Sequence, residues 1–132
     1  MKKAVNILLL VAMSLIAPAC STCKVSTQNH IKEILFGHGG GVTNQEVTFV
    51  LTKNGKLYQG KKLLKKINCE DVEQIFSKAS NMNAAEINEY GNTYWFVEFI
   101  GKNNKKYVWT GSSKVSPELK SLFETLNNTK IQ

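Results

Sequence analysis

The chain contains no arginine, although it carries 17 basic residues and a formal net charge of +7 at neutral pH. Arginine is the side chain best suited to bidentate recognition of phosphates and base edges. Its absence, together with the export signal described below, argues against nucleic acid as a partner. The excess of lysine remains compatible with an anionic membrane surface or an acidic protein.

Metal-ligating residues are few and scattered. The candidates are His30, His38, Cys23 and Cys69, and no two of them stand at ligand spacing on one predicted element. The sequence therefore predicts no metal site, and nothing in it indicates a cofactor. Hydrophobic runs long enough to cross a membrane are also absent after the first nineteen residues.

A complete serine-hydrolase signature is missing as well. His38–Gly41 matches the HGGG loop that supplies oxyanion-hole amides in some lipases and esterases. Those enzymes also need a Gly-x-Ser-x-Gly elbow, and Ser112 and Ser113 have only one flanking glycine. The favoured interpretation is a flexible glycine loop that leaves a strand. A further interpretation is an anion-binding loop made of free backbone amides. Its residues are Gly39, Gly40 and Gly41.

Residues 1–19 have the composition of an export signal. Two lysines precede an apolar stretch over residues 4–17, and a small-residue junction leads into Cys20. The apolar stretch is about fourteen residues long, too short for a permanent membrane helix. We expect cleavage directly before Cys20.

Cys20 resembles the cysteine of bacterial lipoproteins, which is acylated and becomes the mature N-terminus. The resemblance implies a palmitate-bearing anchor in a membrane of the cell envelope, with the outer membrane favoured over the inner. Residues 20–29 are polar and would form a tether. The alternative is an ordinary secretory cut that releases a soluble periplasmic or secreted protein.

The remaining cysteines, Cys23 and Cys69, are compatible with a disulfide, because an exported protein meets an oxidising compartment. The alternative is that Cys69 is simply a small buried residue. Residues 30–132 are enough for one domain and too few for two.

Strand patterns come first along this domain. Residues 92–100 are aromatic and β-branched on both faces, which predicts a central strand. Further strands are predicted at 30–36, 46–52 and 107–110. Asn54-Gly55 predicts a two-residue hairpin turn, which places Leu51 opposite Tyr58 and begins another strand.

Apolar residues recur at helical spacing in two later segments. Asn68 and Ser116 are the predicted N-caps. The two apolar stripes are Val72, Ile75, Phe76 and Ala79, and Leu119, Leu122, Phe123 and Leu126. The sequence thus predicts an α+β domain with about five mainly antiparallel strands and two helices on one face, in the order βββαββα.

A turn centred on Asn103-Asn104 would pair Ile100 with Tyr107 and Glu98 with Trp109. This register predicts an aromatic face, and Tyr and Trp suit contact with both water and a partner. The candidate binding surface comprises Tyr94, Phe96, Glu98, Tyr107 and Trp109. It favours a non-catalytic module that binds an envelope protein or an anionic ligand.

The rival hypothesis is a small envelope hydrolase in which His38 acts with Glu98 or Glu89. It requires these groups to converge on a common point. Separately, lysines crowd one hairpin and its exit, at positions 53, 56, 61, 62, 65 and 66. They indicate either contact with anionic headgroups or a solvated surface.

Several motifs follow one another along the chain: Phe36-Gly37-x-Gly39-Gly40-Gly41-Val42-Thr43, Asn54-Gly55-Lys56 and Asn88-Glu89-x-Gly91-Asn92-x-Tyr94. Combined with a signal that ends in cysteine, they resemble small lipoproteins of the Bacteroidota. The shared pattern is FGxGGG, then either Phe or Val, and then Thr. The likeness covers about residues 30–126. It implies an envelope location and an α+β fold, and it carries over no functional residue.

Overall fold

The computed structural model describes residues 23–26 and 30–131, and the predicted signal peptide and Cys20 lie outside this range. The strands are β1 (Ile31–Gly40), β2 (Val47–Thr52), β3 (Lys56–Gln59), β4 (Lys62–Lys66), β5 (Thr93–Gly101) and β6 (Lys105–Trp109). Helix α1 (Cys69–Ser80) lies between β4 and β5, and α2 (Pro117–Asn128) follows β6.

All six strands form one antiparallel sheet in the order β4-β3-β2-β1-β5-β6, which confirms the α+β class. The sheet has six strands instead of the expected five or so. The additional strand is β4, in the lysine-rich segment that leads to α1. Its two leucines, Leu63 and Leu64, are both exposed, so its sequence lacks the inward-outward alternation that marks a strand.

β1 runs through the segment predicted as a glycine loop. Gly37 and Gly39 lie opposite Phe96 and Tyr94 of β5. A Cβ atom at Gly37 would meet the Val47 carbonyl of β2 and lie 3.3 Å from the Phe96 ring, and one at Gly39 would meet the Tyr94 ring. The loop prediction is wrong because the two neighbouring strands pack closely on β1 at these positions, and only glycine leaves room for them.

Both predicted helices are present with their caps. The Asn68 side chain accepts a hydrogen bond from the Asp71 amide at 2.9 Å, and Ser116 Oγ accepts one from the Leu119 amide at 3.2 Å. Pro117 occupies the first turn of α2, where a missing amide proton costs nothing. These caps set the start of each helix, so the apolar stripes face inward as predicted.

The helices cover one face of the sheet, and the hydrophobic core lies between the two layers. The contact is direct at the rings of Trp109 and Phe123, whose centroids are 5.0 Å apart. The buried sheet residues of this core are Ile34, Phe36, Phe49, Leu51, Leu57, Val97, Phe99, Tyr107 and Trp109. From the helices it receives Val72, Ile75, Phe76, Ala79, Leu119, Leu122 and Leu126.

The β2–β3 hairpin has a three-residue loop instead of the predicted two-residue turn. Gly55 has φ +82° and its amide donates to the Thr52 carbonyl at 2.9 Å. Leu51 consequently pairs with Leu57, and not with Tyr58. A shift of one residue exchanges the two faces of a strand. Leu57 therefore enters the core, and Tyr58 lies on the opposite face.

The β5–β6 hairpin differs from its prediction in the same way. Val97 pairs with Tyr107 and Glu98 with Lys106. The Gly101 amide donates to the side-chain oxygen of Asn104 at 3.0 Å, which holds a longer loop than two residues. Tyr107 thus pairs with Val97 instead of Ile100, a shift by an odd number of residues. An odd shift exchanges the two faces of a strand, so Tyr107 points into the core.

A disulfide joins Cys23 to Cys69, the first residue of α1, with the Cα atoms 4.9 Å apart. Cys23 and Val25 are 7% and 8% exposed and belong to the core. Part of the segment assigned to the tether, residues 20–29, is therefore packed on the domain. In the sequence, only Ser21 and Thr22 separate Cys20 from Cys23.

Candidate functional surface

The predicted aromatic binding surface does not form. Tyr107 and Trp109 lie in the core beneath the helices, at 0% and 7% exposure. Phe96 is also buried, against Gly37 and under the Lys106 ammonium, whose nitrogen is 5.0 Å from the ring centre. Of the five predicted residues, Tyr94 and Glu98 remain accessible. The β5–β6 register, which differs from the predicted one by an odd number of residues, is the cause for Tyr107 and Trp109.

The opposite side of the sheet, here called the open face, carries a line of side chains that crosses every strand. The pairings Leu63–Tyr58, Tyr58–Val50, Val50–Leu35, Leu35–Glu98 and Glu98–Lys106 place them in one continuous row. This cross-strand row contains one residue from each strand, in the order Leu63, Tyr58, Val50, Leu35, Glu98 and Lys106. At the usual strand spacing it extends about 24 Å.

Four neighbours in the cross-strand row are apolar or aromatic and accessible. Leu63 is 51% exposed, and Tyr58, Val50 and Leu35 are half-buried. Within the part of the chain that the structure describes, both helices pack on the other face. A line of large apolar side chains that remains accessible on a sheet is typical of a contact surface.

The far end of the row is charged. Lys106 Nζ lies 3.8 Å from Glu98 Oε2, and their side chains are 35% and 24% exposed. An ion pair this accessible contributes little to stability. Its effect is instead to give the apolar row one polar end.

Tyr94 marks a second feature of the open face. Its hydroxyl donates to Glu46 Oε2 at 2.9 Å, and Thr48 Oγ1 donates to Glu46 Oε1 at 3.2 Å. The ring of Tyr90, which is 58% exposed, meets Tyr94 edge-on at 4.9 Å. The hydrogen bond to Glu46 is the main cause that raises the pKa of Tyr94, followed by burial and by the charge of Glu46. Tyr94 is therefore a neutral hydrogen-bond donor at physiological pH.

The residues of the hydrolase hypothesis do not converge. His38 alternates with the buried Phe36 on β1 and so lies on the helix-covered side, whereas Glu98 lies on the open face. Glu89 follows the outer side of β6, where its amide donates to the Val108 carbonyl. Two strands, β5 and β6, separate it from β1. Neither carboxylate shares a point of approach with His38.

The predicted anion-binding loop is part of the sheet. Gly39 and Gly40 are paired with Tyr94 and Thr93 of β5. The Gly41 amide donates to the Asn92 carbonyl. Their backbone groups therefore belong to the strand pairing and the turn that follows it, and they do not converge on an external anion.

A polar cluster beyond β6 was not foreseen. The Ser113 hydroxyl donates to the Glu89 carboxylate, and Ser113 Oγ accepts from the Thr110 amide at 2.8 Å. Thr110 Oγ1 lies 3.1 Å from the hydroxyls of both Ser112 and Ser113. Serine and threonine in loops commonly form such local bonds with the backbone. For this reason the sequence alone did not indicate that Ser113 would pair with Glu89. The cluster holds the loop after β6 against residues 87–89.

Within residues 23–26 and 30–131, no three metal-ligating side chains lie together, and no helix combines the length and hydropathy needed to cross a bilayer. No protein-family model, no curated protein and no solved structure matches the chain, so no residue role is transferred to it from another protein.

Proposed function

We propose that the chain is a lipoprotein of the bacterial cell envelope, anchored through Cys20, whose domain binds another envelope protein with the open face of its sheet. The observation that carries this proposal is the cross-strand row. Its apolar members line up over four adjacent strands and end at the Glu98–Lys106 pair. The role is recognition without catalysis.

The chemistry of the row fits a polypeptide partner. Tyr58 combines a large apolar ring with a hydroxyl group, a combination that is enriched at the centres of protein interfaces. Val50 and Leu63 flank it on a rigid sheet, so little conformational entropy is lost when a partner docks. The Glu98–Lys106 pair would restrict the orientation of that partner through its two charges.

The disulfide supports the export part of the proposal. Bonds of this kind persist in oxidising compartments and are rare in the reducing cytosol. Cys23 and Cys69 lie 46 residues apart in the chain and meet at the start of α1. The pairing leaves Cys20 as the one cysteine available for acylation, with the outer membrane as the proposed location.

Site-specific photo-crosslinking in the native host tests the binding surface. A photoreactive residue in place of Tyr58 or Leu35 should give discrete adducts with a partner protein. The same residue in place of Lys120, which is exposed on α2, should not. Equal adduct patterns at all three positions would exclude the open face as a specific surface.

Mass spectrometry of the mature protein tests the anchor. Protein extracted from membranes of its own host should begin at Cys20 and carry the mass of attached acyl chains. A Cys20→Ser variant should leave the membrane fraction. An N-terminus at any other residue, or an unmodified Cys20, would contradict the proposed anchor.

A further inference from the structure

The positive charge of the mature chain is concentrated in one part of the sheet. Residues 47–68, which span β2 to β4, contain six lysines and no acidic residue. The rest of the chain from residue 20 onward contains nine lysines and ten acidic residues. The net charge therefore belongs to the β2–β4 region, and the remainder of the domain is close to neutral.

Strand β4 presents this charge at an edge of the sheet together with apolar side chains. Leu63 and Leu64 are 51% and 37% exposed and stand between Lys62 and Lys65. On the adjacent strand, Lys56 lies opposite Lys66. The two ammonium groups repel each other and add to the positive potential of this edge. The β3–β4 hairpin, residues 56–66, is here called the basic edge.

Cys23, three residues after the proposed lipid anchor in the sequence, lies at one corner of the basic edge. A Cβ atom at Gly55 would lie 3.5 Å from Cys23 Sγ, and Gly55 directly precedes Lys56. The disulfide to Cys69 holds Cys23 at this corner. Cys20 is three residues earlier in the chain. Even a fully extended chain over that interval spans no more than about 11 Å.

We infer that the basic edge rests on the anionic phospholipid headgroups of the leaflet that holds the anchor. Its lysines neutralise phosphates, and Leu63 and Leu64 insert among the headgroups. This inference rests on the proposed acylation of Cys20, which places the edge within reach of the bilayer. The sheet then stands on β4, and the open face points sideways, where a neighbouring envelope protein can meet it.

The acidic residues near the anchor agree with this orientation. Glu70 and Asp71 lie in the first turn of α1, directly after Cys69. They belong to the helix layer and not to the sheet edge. Anionic headgroups repel them and attract the lysines of β3 and β4, so the charge pattern favours an approach by the edge.

Vesicle binding without any lipid anchor tests the inference separately from acylation. The protein is the mature chain with Cys20→Ser, mixed with phosphatidylcholine vesicles that contain or lack phosphatidylglycerol. We expect binding only when phosphatidylglycerol is present, and its loss at high salt. Absence of binding to both kinds of vesicle would overturn the inference, whatever the state of Cys20 in the native host.

A matched pair of variants locates the contact. Lys56→Gln with Lys62→Gln removes two exposed charges from the basic edge, and Lys114→Gln with Lys120→Gln removes two exposed charges elsewhere. The first pair should weaken binding by roughly 30-fold and the second by less than about 3-fold. Equal losses would show attraction by net charge alone and overturn the inference. Circular dichroism of each variant verifies that the fold is retained.

Hydrogen exchange gives the orientation directly. The mature chain is coupled through the Cys20 thiol to a maleimide lipid in phosphatidylglycerol-containing vesicles, so the anchor is supplied chemically. Amides of β4 should exchange more slowly than in neutral vesicles, whereas those of β6 should not change. Protection at β6, or at neither edge, would overturn the inference. A native N-terminus that lacks acyl chains would instead contradict the proposed function and leave these results unchanged.

Discussion

The ring of Tyr94 lies across Gly39 of the neighbouring strand, and its hydroxyl donates a 2.9 Å hydrogen bond to Glu46. One side chain of β5 thereby contacts β1 and the residue that precedes β2. The close approach is possible because Gly39 has no Cβ atom. It explains why a glycine-rich segment is an ordered strand in this fold.

Substitution of Gly39 by alanine should therefore destabilise the domain. The added Cβ would meet the Tyr94 ring, which has to move and lose its bond to Glu46. We expect the free energy of unfolding to fall by about 1–3 kcal/mol, the usual cost of overpacking. Urea denaturation measures it. Gly111→Ala is the control, since nothing lies within 4 Å of a Cβ at that position. A cost at position 111 equal to that at position 39 would contradict the proposed cause.

The Tyr94–Glu46 bond also predicts a dependence of stability on alkaline pH. The bond raises the pKa of Tyr94 above its usual 10.0, so the folded state holds the phenolic proton more tightly than the unfolded state does. This stabilisation is complete below pH about 10 and is lost as the pH rises through the folded-state pKa. Relative to Tyr94→Phe, wild-type stability should decline above that pH. Urea titrations at several alkaline pH values measure the difference, and Glu46→Gln should remove it. Parallel curves for wild type and Tyr94→Phe would show that the bond does not control the titration.

Helix positions could be predicted from the sequence because their signals are local. The stripe from Val72 to Ala79 and the Ser116-Pro117 start each depend on residues within one or two turns. The strands β2 and β5 could also be predicted, because their own side chains show the pattern of a strand. Strand β4 was not, because its two leucines face solvent at the edge of the sheet.

The candidate binding surface could not be predicted from the sequence, because the side chains on each face depend on whether two hairpin loops contain an odd or an even number of residues. Asn54-Gly55 is a strong turn signal, yet it does not distinguish a two-residue turn from a three-residue loop that ends in glycine. The choice decides whether Leu57 or Tyr58 faces the core. Likewise, Asn104 closes a longer loop than expected and turns Tyr107 inward. Burial of whole faces selects these registers, and burial is a property of the complete sheet.

Removal of the disulfide should cost much of the stability. Cys23 and Cys69 are separated by 46 residues, and cross-linking a loop of that length stabilises a protein by about 4 kcal/mol through the entropy of the unfolded chain. We expect the Cys23→Ser, Cys69→Ser double variant to unfold at clearly lower urea concentration. Addition of a reductant should lower the wild-type midpoint and leave the variant unchanged. A wild-type midpoint insensitive to reductant would contradict the role assigned to the bond.

Tyr107→Phe should stabilise the domain. The Tyr107 hydroxyl is buried and has no hydrogen-bond partner among the described residues. A buried polar group without a partner costs about 1–3 kcal/mol, and its removal leaves the packing of the ring intact. We expect a gain of about 1 kcal/mol in the free energy of unfolding. Tyr94→Phe, which breaks a hydrogen bond, should change stability in the opposite direction. A less stable Tyr107→Phe would mean that the hydroxyl is bonded in solution.

The pairing of residues 87–89 with β6 has a consequence for self-association. Through the amide of Val108 and the carbonyls of Ile87 and Val108, this segment occupies the backbone at the centre of the outer strand. Another strand therefore cannot add to the middle of β6 unless it first displaces this segment. In this way the fold protects one of the two outer strands of the described sheet from unwanted strand addition.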